Sequence, residues 1–88
     1  MHSPHLMLIY APYDGFHAGA AASKKVIKTA VDRNKFRRRV YDVFERITRS
    51  TALQGVYICV AKDTAGSLSY DTLRAELEGL IRKTGVLG

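Results

Sequence analysis

From about Thr29 to Ile47 the apolar residues Phe36, Val40, Val43, Phe44 and Ile47 recur at i, i+4, i+7, i+8 and i+11, which puts all five on one face of an α-helix. A helix with such a stripe is stable in water only if the stripe is covered by a second layer. Two short apolar runs supply it. HLMLIY (5–10) is closed by Ala11-Pro12-Tyr13-Asp14-Gly15, with Pro and Gly at turn spacing, and reads as a strand followed by a turn. VYICVAK (56–62) is almost continuously apolar and reads as the central strand of a sheet. Residues 16–23, FHAGAAAS, are expected to form a return strand that makes a hairpin with the first. A polar link spans 48–55. Ser69 then caps a last helix, with Leu73, Leu77, Leu80 and Ile81 on its inner face and Gly85 just past its end. The order strand, strand, helix, strand, helix predicts an α+β or α/β layer sandwich, a small sheet with helices on one side. At 88 residues and 47% hydrophobic, the chain is one domain, residues 1–88, without repeats or low-complexity segments.

The polar side of the first helix carries the second constraint. Residues 23–49 hold ten of the fourteen basic side chains and three of the eight acids, a local charge of +7 within a chain of net charge +6. Such a field draws polyanions, nucleic acid first and an anionic membrane surface second. With Arg33 at zero on a helical wheel, Asn34, Arg37, Arg38 and Lys35 fall at about 100°, 40°, 140° and 200°, clear of the apolar stripe. Planar guanidinium groups donate two parallel hydrogen bonds to a phosphate, and an amide at the centre of the fork can both donate and accept. Lys24, Lys25 and Lys28 extend the patch ahead of the helix. A merely solubilising face mixes signs at i, i+4 spacing, whereas no acid occurs from Arg33 to Arg39. The expected function is therefore RNA or DNA phosphate binding.

Catalytic groups are harder to find. His2, His5 and His17 lack metal-ligand spacing, and Asp14, Asp32, Asp42, Asp63 and Asp71 are scattered. Ser23 has no G-x-S-x-G context. Cys59 lies in the apolar run and is expected to be a buried, inert thiol. No apolar run approaches the roughly 20 residues of a bilayer span, and the first residues lack the basic and long apolar regions of a signal peptide, so a cytoplasmic protein without a membrane partner is expected.

The stretch SKKVIKTAVDRNKFRRRVYDVF resembles the signature of the bacterial ribonuclease P protein subunit: an S-K-K strand end, then A-V and R-N, then a basic amphipathic helix. SPHLMLIYAP is similar to the family's first strand, and VYICVAKDTAGSLSYDTLRAELEGLIRK to its last strand and helix, so the likeness covers residues 3 to about 83. It implies an architecture like the second domain of ribosomal protein S5, with a left-handed βαβ crossover. It also implies an accessory role: the family's catalyst is a large RNA that uses Mg2+, bound mainly by that RNA, to hydrolyse the phosphodiester at the 5′ end of precursor tRNA. No tightly bound metal on the protein and no protein partner are implied. Carried over by position, Arg33, Asn34, Lys35, Arg37 and Arg38 match the RNA-docking helix, with Lys24, Lys28 and Arg39 beside it. Tyr10 and Lys25 match residues that contact the single-stranded 5′ leader.

The chain also departs from that pattern. It is expected to start at the first strand, without the family's preceding helix. Ala21 stands where a hydroxyl is frequent, one extra residue occurs near Ile27, and Tyr41 replaces a commonly basic position, with Arg39 placed to compensate from another angle. These changes are expected to weaken leader recognition more than RNA docking. The competing readings are a non-enzymatic RNA-binding module or chaperone on the same scaffold, and a degenerate subunit that folds without functioning.

Overall fold

The computed structural model describes residues 1–62 and 68–85. Three strands, β1 (Leu6–Ala11), β2 (Phe16–Ala21) and β3 (Gly55–Ala61), and two helices, α1 (Ala30–Ser50) and α2 (Tyr70–Lys83), follow the expected order. The pairing differs from the expected hairpin. The sheet order is β1-β3-β2, with β1 antiparallel and β2 parallel to β3. The most continuously apolar strand thus satisfies both its edges. The link 12–15 crosses the start of β3 instead of folding back, and the Gly55 amide donates to the Gly15 carbonyl at 2.7 Å. Two strand spacings are about 10 Å, within reach of a four-residue link. The crossing leaves no room for a side chain at Gly55: its φ is +122°, and a Cβ there would stand 2.6 Å from Cε1 of Tyr10 and 3.1 Å from the carbonyl oxygen of Ala11.

Alternation sorts the sheet into two faces. Leu6 and Leu8 on β1 and Tyr57, Cys59 and Ala61 on β3 are buried beneath the helices. Met7, Val56, Ile58 and Val60 point the other way and are half-buried, and Ile9 there is 48% exposed. α1 meets the covered face with Phe36, Val40, Val43 and Phe44, and α2 with Leu73, Leu77, Leu80 and Ile81. Both helices start on N-caps, the second as expected: the Thr29 hydroxyl accepts from the Asp32 amide and the Ser69 hydroxyl from the Thr72 amide, each at 3.2 Å. Such a cap stabilises a helix by about 1 kcal/mol. Gly85, at φ +82°, follows the end of α2. Among the described residues no helix is long and apolar enough to cross a membrane.

α1 and α2 run side by side in the same direction, with α2 starting beside the middle of α1. Arg39 Nη1 donates to the Leu68 carbonyl just before α2 at 3.1 Å, and further along Arg46, Ile47, Ser50 and Thr51 share a groove with Arg74, Glu78 and Arg82. The first residues of the chain are clasped to α2. Glu76 accepts from the Ser3 hydroxyl at 2.5 Å and the His5 amide at 3.0 Å, and its other oxygen lies 2.6 Å from His5 Nδ1.

Candidate nucleic-acid interface

The basic surface is assembled from the link 22–29 and the first half of α1. Ile27 is buried and pins the link to the core, while Lys24, Lys25 and Lys28 remain exposed. Arg33 Nη1 reaches back to the Ile27 and Lys28 carbonyls at 3.0 and 3.1 Å. Arg33 is therefore partly a brace that fixes the lysines beside the helix start. Its other guanidinium nitrogens keep donors for a partner. One turn on, Arg37 Nη1 donates to Asn34 Oδ1 at 3.3 Å, which leaves the Asn34 amide NH2 free to donate outward. Arg38 and Lys35 are exposed. Among the described residues none of Lys24, Lys25, Lys28, Arg33, Lys35, Arg37 and Arg38 takes part in an ion pair. An open groove runs along this face between Val31, Asn34, Arg37, Arg38 and Tyr41.

The N-terminus of α1 stands at this end, equivalent to roughly half a positive charge, and it adds to the field of the lysines and arginines. The arrangement can hold several phosphate oxygens at once, bidentately at the arginines and as point charges at the lysines.

Arg39 lies apart from this fork. It projects toward α2, where its bond to the Leu68 carbonyl ties α1 to the segment before α2, and it does not compensate for Tyr41 on the exposed face. Tyr10 and Lys25 are not brought together. Tyr10 sits half-buried on the helix-covered side, its ring 5.1 Å from that of Tyr57, and pairs with Tyr57 near the start of β3. Lys25 follows β2 at the opposite end, beyond Ala21, which pairs with Val60. The three residues of β3 from Tyr57 to Val60 alone span about 10 Å.

The second half of α1 is different in kind. Asp42 pairs with Arg46 at 3.2 Å and Glu45 with Arg49 at 2.7 Å, both at i, i+4. The Tyr70 hydroxyl also donates to Asp42, and this bond first, then Arg46, holds the Asp42 carboxyl below its ordinary range. Periodicity had no means of finding the Tyr70 contact, which depends on how α2 lies on α1. The Glu76 clasp was invisible for the same reason. Burial alone would raise the Glu76 carboxyl, but the bonds from Ser3 and His5 outweigh it and hold it below its ordinary range.

Of the groups set aside in the sequence, Asp63 lies outside the described residues, and His5 is held by Glu76. Among the described residues no three His, Cys, Asp or Glu side chains are placed to hold a metal ion. Burial, with a smaller contribution from Glu76, pushes the Cys59 thiol up to about 12, so it carries no thiolate near neutral pH.

A sequence family described as Ribonuclease P matches residues 1–85. A ribonuclease P protein component from Photobacterium profundum is 38% identical over 80 residues, which cover 89% of this chain and 67% of that protein. The fold is similar to that of the Staphylococcus aureus RNase P protein, with a TM-score of 0.84 and 23% identity over 100% of this chain and 82% of the other. A mutant of that protein, described as defective in mRNA degradation activity, superimposes with a TM-score of 0.84 at 24% identity, covering 98% of this chain and 74% of its own. At these identities the two structures bear on the fold alone.

Proposed function

The chain belongs to the ribonuclease P protein family, whose enzyme processes the 5′ end of tRNA, and we propose that it serves its ribonucleoprotein by docking the first half of α1 on the catalytic RNA. The observation that carries this reading is the fork of Asn34, Arg37 and Arg38, with Lys35 beside it: Asn34, Lys35 and Arg38 are exposed, Arg37 is half-buried, and none has an acidic partner among the described residues. Phosphates of the RNA would replace the missing acids, and Lys24, Lys25, Lys28 and the free nitrogens of Arg33 would extend the contact along the strand.

In this reading the protein supplies no reacting group. Hydrolysis of precursor tRNA belongs to the RNA, and the magnesium it needs would be held mainly there. The protein's positive charge lowers the repulsion between RNA segments that must approach one another, so part of the counterion requirement passes from magnesium to arginine and lysine. Contact with the 5′ leader is the smaller part of the proposal. Tyr10, partly covered, and Lys25, at the other end of the sheet, would each touch the substrate separately.

Reconstitution with the ribonuclease P RNA of the same organism tests this. Precursor-tRNA cleavage should appear, on addition of the protein, at magnesium concentrations where the RNA alone is inactive. Absence of any such gain, with RNA and protein shown to be folded, would overturn the proposal.

A further inference from the structure

The docking face is not purely ionic. Tyr41 lies one turn beyond Arg37 and Arg38, 46% exposed, and among the described residues its ring makes no aromatic contact and its hydroxyl no hydrogen bond. Val31, 73% exposed, closes the other end of the same groove. Two bare apolar side chains thus flank three polar ones on a surface whose remaining neighbours are charged.

Resting on the docking reading above, we infer that Tyr41 stacks on an unpaired base of the RNA, while Arg37 and Arg38 hold the phosphates on either side of that nucleotide. The chemistry selects the base. Inside an A-form duplex the base faces are stacked and the major groove is too deep and narrow for a side chain, so an exposed ring finds a π-face only where a nucleotide is bulged, looped or splayed out. Arg37 at i−4 and Arg38 at i−3 share the helix face with Tyr41, within reach of the backbone that carries such a nucleotide. Val31 offers an apolar contact for a sugar or a neighbouring base. The fork alone would accept any phosphate run, and the ring converts it into a site that prefers an interruption in the helix.

Stacking and phosphate contacts respond differently to salt, and this separates the parts. Binding of the folded protein to the ribonuclease P RNA of the same organism is measured across a salt series. Tyr41→Leu and Tyr41→Ala should weaken binding roughly 5- to 150-fold, the factor that loss of one stacked base brings, with no change in the slope of log K against log salt. Tyr41→Phe should retain the stack and bind as the parent does. A photocrosslinking amino acid at position 41 should mark an unpaired nucleotide. Parental affinity of Tyr41→Leu, a changed slope, or a crosslink only within duplex would overturn the inference. If the Tyr41 variants are silent while Arg37→Ala with Arg38→Ala weakens binding, this inference fails and the docking reading stands. If both are silent, the docking reading fails with it.

Discussion

The two halves of α1 are built from the same kinds of residue and do opposite things with them. From Arg33 to Arg39 there are five basic side chains and no acid, and none of Arg33, Lys35, Arg37 and Arg38 has an ion-pair partner among the described residues. From Asp42 to Arg49 two acids and two arginines alternate at i, i+4 and pair with each other. The first half leaves its field unspent toward solvent; the second neutralises it within one turn. A count of basic residues over the whole helix would miss this. What distinguishes a binding face from a solvated one is whether the acids are interleaved.

Double substitutions break the comparison most directly. Arg37→Ala with Arg38→Ala should reduce RNA affinity by on the order of 3 kcal/mol, if each charge-assisted bond contributes about 1.5. The slope of log K against log salt should shrink by about 1.4 to 1.8, at roughly 0.7 to 0.9 per phosphate. Arg46→Ala with Arg49→Ala removes as much charge and should leave the slope unchanged. If the two pairs behave alike, the halves are equivalent and the distinction is wrong.

Val40→Ala sharpens the contrast from the opposite side of the helix. Val40 is fully buried, so its truncation should lower unfolding free energy by about 1 to 3 kcal/mol, read from denaturant melts. The salt slope of the protein that remains folded should not move, because no phosphate contact has been touched.

A smaller and reverse effect comes from removing the acids. Asp42→Asn with Glu45→Gln should make the second half resemble the first and steepen the salt slope by up to about 0.9 per phosphate gained. Acidification acts in the same direction. Because the folded-state pKa of Asp42 is depressed, its pairing is intact at neutral pH and is lost as pH falls through that lowered value. The stabilisation from Glu76 follows the same sign, present above its unfolded pKa and lost in acid.

The helices and the centre of the site were legible in the sequence because their rules are local. Ser69 announces the cap of α2, Gly85 a stop, and the 100° wheel places Arg37, Arg38 and Asn34 clear of the core. The hairpin failed because strand order is not local. A short link with Pro and Gly between two apolar runs has the form of a turn, and only the need of β3 for partners on both edges decides otherwise. The bracing bonds of Arg33 and Arg39 were hidden for a related reason. Their partners are backbone carbonyls of Ile27, Lys28 and Leu68, in links whose position no periodicity encodes.

The strand order carries a consequence for how the molecule comes into being. β1 and β2 never touch as ladder partners, and each waits for β3, with Leu6 meeting Ala61 across most of the chain. During synthesis, therefore, the residues ahead of β3 can form a nascent helix but no sheet, and the basic face leaves the ribosome before anything rigid supports it. Contacts so distant in sequence make the last strand the committing step of folding. A polyanion that neutralises the helix early would favour the native ensemble by mass action, so the RNA is cast as a participant in maturation as well as a destination.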